Sequence, residues 1–207
     1  NKKEDRDLFI TTNNGCSSIL EPDLEYIKNN LSNPKDSLDS FKIEKTLKVK
    51  CDTIDNICNA NNIKPSVIKI DIQGAEYEAL IGAEKVLDSC SILLVETSLK
   101  RSYKGQRTFN EVFEYLRSKN FDLLYSIWKP ILSSEVDVLF IKTPNLWNKN
   151  DLLASLFACS LFRLDAAKKY ILKKIAPKIF SDKEIKDISL LITKCELLSV
   201  FISVRLQ

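Results

Sequence analysis

The chain has 207 residues and a mass of 23.7 kDa, with 44% hydrophobic and 29% charged residues, which suits a globular protein of one sizeable domain with room for an appendage. Its net charge of +3 comes from interspersed signs, so composition gives no reason to expect nucleic acid as a partner. Histidine is absent, which excludes the usual general base, the commonest zinc ligand and any Ser-His-Asp or Cys-His machinery.

The charged start, Asn1-Lys2-Lys3-Glu4-Asp5-Arg6-Asp7, is no signal peptide. Leu8 to Thr12 reads as a short strand, followed by a polar turn at Asn13-Asn14-Gly15 and the serine pair Ser17-Ser18. Residues 23–40 are polar, with Asn33-Pro34 among them, and suit a loop carrying one short helix. Thr46 to Cys51 alternates like a strand, and Thr53 to Asn61 reads as the helix crossing to the next one.

Val67 to Ile72 is predicted to be a buried parallel strand, and Ala75 to Leu87 a helix with Leu80, Ala83 and Leu87 on one face. Ile92 to Glu96 is a second buried strand, and Thr108 to Ser118 a helix with Phe109, Val112, Phe113 and Leu116 aligned. Phe121–Trp128 and Val136–Lys142 are closing strands, joined through Lys129-Pro130 and Ser133-Ser134 and expected to be antiparallel.

From Trp147 the pattern turns helical, with Leu161, Leu164, Ile171, Leu172 and Ile175 on one face before Pro177. Ser181-Asp182-Lys183-Glu184 is a capping box for a last helix. The predicted organisation is thus an α/β domain over residues 1–146 and a helical appendage over 147–207. The basic residues Arg163, Lys168, Lys169, Lys173, Lys174 and Lys178 read as the solvated face of an amphipathic helix rather than a membrane surface.

The six cysteines (Cys16, Cys51, Cys58, Cys90, Cys159 and Cys195) form no C-x-x-C pair and are read as reduced, small hydrophobes; no metal site is predicted from them. Lys194, Glu196 and Arg205 interrupt the greasiest segment, so no membrane span is predicted and the cytoplasm is the default compartment. Methionine is absent, and the sequence is expected to begin within a longer protein.

The chemistry concentrates in Val67-Ile68-Lys69-Ile70-Asp71-Ile72-Gln73-Gly74-Ala75-Glu76. An apolar β-branched run delivers Asp71 to the carboxyl end of a strand, where open α/β sheets bind ligands. Gly74 supplies a tight turn, and Glu76 follows in the first turn of a helix, where the dipole alone would account for an acid. Ser91 to Glu96 repeats the pattern and delivers Glu96 to the same edge. A carboxylate ending a buried strand needs a partner or a task. Gln73 either reaches a substrate hydroxyl or faces water, and Tyr103-Lys104-Gly105-Gln106 reads as a loop over the same edge.

Taken together, these segments resemble the FkbM family of S-adenosylmethionine-dependent methyltransferases. The matching pieces are Asn14-Gly15-Cys16-Ser17-Ser18-Ile19-Leu20, Thr53-Ile54-Asp55, Ile68 to Glu76, Glu78-Ala79-Leu80-Ile81-Gly82-Ala83, Leu93-Leu94-Val95-Glu96, Tyr103-Lys104-Gly105-Gln106 with Phe109 and Glu111, and Asp137-Val138-Leu139-Phe140-Ile141. The resemblance covers about residues 8–142. It implies a Rossmann-like class I methyltransferase sheet, mostly parallel with an antiparallel closing strand, and S-adenosylmethionine as cofactor. The family's glycine-rich Asp-x-Gly-x-Asn-x-Gly-like loop has no counterpart here, so the domain is read as N-terminally incomplete.

The implied activity is O-methylation of a hydroxyl on a sugar, glycan or similar small polar molecule. In that reading Asp71, Glu96 and Glu76 are the catalytic candidates, with Asp71 as base or orienter. Ser17, Ser18, Gln73, Tyr103 and Gln106 would bind substrate, and Asp71 and Gly74 would lie beside the cofactor. A competing version makes Asp71, Glu76 and Glu96 oxygen ligands of a magnesium-type ion, and ranks second. The rival class is a non-catalytic binding or assembly module.

Overall fold

The structure is a computed structural model and describes residues 3–30, 34–128, 134–143, 147–161 and 164–202. Asn1, Lys2, Asn33, Lys129, Pro130, Ser133, Arg163 and Arg205, named above, lie outside the described residues, as does the side chain of Cys195.

Strand β1 (Glu4–Thr11) pairs antiparallel with β2 (Ile43–Cys51) in a two-stranded ribbon of its own. Between them lie a 3-10 turn at Asn14–Cys16 and the helices α1 (Leu24–Asn30) and α2 (Pro34–Ser40). The strand predicted at Thr46 therefore belongs to a ribbon and not to the main sheet. Its central residues are mostly exposed, so it lacks the two covered faces a strand of a parallel sheet needs.

Helix α3 (Ile54–Ala60) starts where the Thr53 hydroxyl accepts from Asn56 N–H at 3.1 Å. The chain then passes through β3 (Val67–Ile70), α4 (Glu76–Ile81), α5 (Val86–Ser89), β4 (Ile92–Ser98), α6 (Phe109–Ser118), β5 (Phe121–Trp128) and β6 (Glu135–Lys142). The sheet order is β3-β4-β6-β5, with β3 parallel to β4 and the other two pairings antiparallel. Among the described strands this sheet is mixed rather than mostly parallel. The helix predicted from Thr108 is α6, and a capping box between Thr108 and Glu111, not singled out from the sequence, opens it.

The helix expected over Ala75–Leu87 is two helices. Asp55 explains the break, since its carboxylate accepts from the N–H groups of Lys85 and Val86 at 3.0 and 2.9 Å and so starts α5 afresh. The Asp55 N–H binds the Gly82 carbonyl at 2.9 Å, and a Cβ on Gly82 would meet the Thr53 side chain at 3.3 Å.

Every residue of β4 is buried because both faces of the sheet are covered. Leu93 and Val95 join Leu80, Leu87, Val112 and Leu116 on the face beneath α4, α5 and α6. Ile92 and Leu94 face the opposite way, onto the last helices of the chain. These are α7 (Lys149–Leu161), α8 (Asp165–Tyr170) with its wide-turn continuation through Ile175, and α9 (Asp182–Ile202). Ser91 Oγ donates to Asp151 at 2.6 Å, and Trp147 Nε1 donates to the Lys142 carbonyl at 2.6 Å, fixing α7 to the sheet.

Ser181 and Glu184 form the predicted box at the start of α9, where Ser181 N–H donates to Glu184 at 2.8 Å. Among the described residues, no helix is long and apolar enough to cross a membrane.

Candidate functional site

The strand predicted to run to Ile72 ends at Ile70, and Asp71 through Ala75 form the turn into α4. Two successive residues there take left-handed backbone angles, Gln73 with φ 57° and Gly74 with φ 97°. Glycine is required at the second, because a Cβ would stand 2.6 Å from Cδ2 of the Tyr103 ring. Gln73, a side chain that ordinarily avoids this region, is held there by its amide. Its Nε2 donates to Glu96 Oε2 at 2.9 Å and to Asp71 Oδ1 at 3.4 Å, and its Oε1 accepts from the Tyr103 hydroxyl at 3.4 Å. The acids carried by neighbouring parallel strands are thereby joined through one amide.

Asp71 and Glu96 differ in setting. Asp71 is exposed and ion-paired to Lys69 at 2.7 Å. Glu96, at 5% exposure, is buried within β4 and stands opposite Asp137 of β6 in the strand register.

Glu76 turns back on the turn that precedes it. Its Oε1 accepts from Ile72 N–H at 3.1 Å and Gly74 N–H at 3.0 Å, closing the turn. Burial holds its carboxyl above the usual range, against the lowering effect of those N–H groups. The Ile72 and Gly74 backbone donors of the turn before α4 are consequently engaged by Glu76. Gly74, expected beside a cofactor, presents its N–H to Glu76 and its α-carbon to Tyr103.

These residues border a narrow slot lined by Gln73, Glu76, Glu96, Thr97, Tyr103 and Glu135, barely wide enough to admit a water molecule. Gln106 also borders it, but its Oε1 accepts from the N–H groups of Ser102 and Tyr103 at 2.7 and 3.2 Å, which shapes the loop. The Tyr103 hydroxyl donates to the Cys16 carbonyl at 2.9 Å, and burial keeps the phenol protonated far beyond its ordinary range. Burial first, then the carboxylates of Glu135 and Glu96, push the Cys16 thiol up to about 11.

Ser17 and Ser18, expected to line the crevice, stand apart from the slot. Ser17 Oγ accepts from Thr11 N–H at 3.1 Å, and Ser18 Oγ accepts from Leu20 N–H at 3.0 Å. Both shape the turn after β1. Among the described residues, no group of three or more acidic, cysteine or histidine side chains could hold a metal ion, so the magnesium version gains no support.

Thr97, Ser98 and Glu135 escaped the sequence reading. The first two carried a usable signal, since they continue the strand that delivers Glu96. Glu135 carried none, because it reaches the slot only through its pairing opposite Ser98 across β4 and β6.

S-adenosylmethionine does not fit the slot, which has no room for a nucleoside. A larger hollow of about 350 Å³ borders β3, walled by Ile54, Ile70, Ile72 and Ala75. It shares no lining residue with the slot.

Searches of curated proteins and of solved structures find no match. A family model of the methyltransferase FkbM domain matches residues 1–123, more than half of the 207 residues. That span carries the turn after β3, the strand holding Glu96 and the Tyr103 loop, and the chain accordingly belongs to the FkbM methyltransferase domain family.

Proposed function

We propose that this chain forms the acceptor side of an S-adenosylmethionine-dependent O-methyltransferase acting on a hydroxyl of a sugar, glycan or similar small polar molecule. The observation that carries the reading is the Gln73 bridge, which ties Asp71 at the rim to buried Glu96 at the slot. A hydroxyl attacking a methyl group must lose its proton, and with no histidine in the chain a carboxylate takes it. Glu96 is the base in this proposal, because it borders the slot whereas Asp71 stands outside it, paired to Lys69. Gln73 orients Glu96 and Asp71 orients Gln73. Tyr103 closes the slot as a neutral hydroxyl.

The test is methyl transfer from radiolabelled S-adenosylmethionine to a panel of neutral glycosides. Glu96→Gln is expected to lower turnover by about a hundredfold or more, the usual scale of a lost general base. Asp71→Asn is expected to lower it by less than about tenfold, the scale of one weakened hydrogen bond. Equal turnover in wild type and Glu96→Gln would overturn the assignment.

The narrowness of the slot favours a second reading, a non-catalytic binding module. Calorimetric titration of the chain with S-adenosylmethionine separates the two. Heat of binding with labelled product supports the enzyme, and neither favours the module.

A further inference from the structure

Helix α9 carries more apolar surface than its packing uses. Ile185, Ile188 and Ile192 turn inward, half-buried against the core of the helical appendage, at the three- and four-residue spacing by which a helix ordinarily packs. Leu190 and Leu191 lie on the other side and are 57% and 61% exposed. Phe157 of α7 is 61% exposed as well. It walls an apolar groove of about 170 Å³ between the two helices, together with Leu153, Leu156, Ile188 and Leu191, and no charged residue lines that groove. Single exposed apolar side chains are ordinary, whereas several beside a groove mark a surface that is covered in use.

The charges along the outer face of α9 select the cover. Asp187, exposed, stands three residues before the leucine pair, and Lys194 follows three residues after it. At helical spacing, positions 187, 190, 191 and 194 share one face. The order acid, leucine, leucine, base reads the same from either end with the charges exchanged. A second copy laid antiparallel along it therefore meets its complement throughout, leucine against leucine and position 187 of one copy opposite position 194 of the other. A phospholipid surface finds no such match. It asks for a surplus of lysine and arginine, whereas the start of α9 mixes Asp182, Lys183, Glu184, Lys186 and Asp187.

We propose that this face of α9, with the groove beside it, is the interface of a twofold homodimer in which two α9 helices pack antiparallel about Leu190 and Leu191. A twofold interface must be complementary to itself, which the charge-exchanged pattern supplies. Leu190 of one copy lies against Leu191 of the other and enters its groove at Phe157. Two Asp187–Lys194 pairs flank the centre and fix the antiparallel register.

The experiment is light scattering on the full chain over a concentration series. Wild type is expected to approach twice the 23.7 kDa of one chain. Leu190→Glu is expected to keep the helical circular dichroism and to weaken the dimer at least about tenfold, because it places two like charges at the apolar centre. Asp187→Lys and Lys194→Asp are each expected to weaken it at least about tenfold, since each sets like charges opposite one another twice. Mixed in equal amounts, these two variants are expected to recover the wild-type mass, because every pair across the mixed interface is again unlike.

A wild type that stays monomeric over the series overturns the proposal, and one that instead sediments with vesicles of phosphatidylserine and phosphatidylcholine gives the face to a membrane. A dimer that Leu190→Glu leaves intact forms elsewhere on the chain and overturns it too. So does failure of the two mixed variants to associate, which removes the antiparallel register.

Discussion

From Ile92 to Val95, strand β4 hides apolar side chains between two helical layers, whereas from Glu96 to Ser98 it hides three polar ones at 3–5% exposure. The two halves share a backbone, a register with β6 and nearly the same burial. Their energetics are opposed. Each fully buried aliphatic side chain of the first half contributes about 1.5–3 kcal/mol by leaving water. A buried polar group contributes little even when paired, and costs about 1–3 kcal/mol when it is not. The first half holds the sheet between its covers, and the second presents groups to the slot. The same degree of burial thus serves stability at one end of the strand and lines the slot with polar groups at the other.

Leu93→Ala is the strongest way to sharpen that contrast. Its side chain is 0% exposed beneath α4 and α6, so truncation is expected to remove about 2–5 kcal/mol, measured by urea unfolding. A loss below about 1 kcal/mol would show that the apolar half is not the load its burial implies.

Gly74→Ala probes the polar half through the turn that supports it. The left-handed φ of 97° and the 2.6 Å approach to Tyr103 predict a loss of roughly 1–3 kcal/mol, with displaced NMR signals for Gln73 and Tyr103. Unchanged stability would mean that Tyr103 swings away freely.

The smallest effect is on pH dependence. Burial raises the folded-state carboxyl of Glu76 above its ordinary value of 4.5. Below that value both folded and unfolded chains carry the proton, while just above it the folded chain holds the proton more tightly. The contribution of Glu76 to stability is therefore full at acid pH and is lost as pH rises through the folded value. Glu76→Gln keeps an oxygen to accept from Ile72 and Gly74 but does not ionise. Its stability is expected to lack that downward slope, and superimposable pH profiles of the two proteins would refute the assignment.

Much of the local structure was legible because it depends on neighbours in sequence. The β-branched run before Asp71, the apolar face of the Thr108–Ser118 helix and the Ser181 box all act within a few residues, and each element begins or ends near where its signals lie. Side-chain direction was not legible. Glu76, Gln106, Ser17 and Ser18 are polar residues in the expected segments, yet each turns to nearby backbone N–H groups. A short polar side chain in a turn has such donors within reach whatever the ligand, so its presence cannot distinguish turn-making from recognition. The break between α4 and α5 was hidden for another reason, since Asp55 caps α5 from about thirty residues away.

The sequence by itself determined the alternation of strands and helices, the acid at the end of β3, the buried run of β4 and the lack of any histidine base. These follow from hydrophobic periodicity, turn chemistry and composition, which are local or additive. Only the tertiary structure decided that β1 and β2 form a separate ribbon, that the sheet is mixed, and that Glu96 is inside the slot while Asp71 is outside it. It also brought Glu135 opposite Ser98 and left the Thr97 hydroxyl without a hydrogen-bond partner among the described residues. Those outcomes depend on which distant strands pair and in what register, and a shift of one residue would turn every side chain of β4 to the other face.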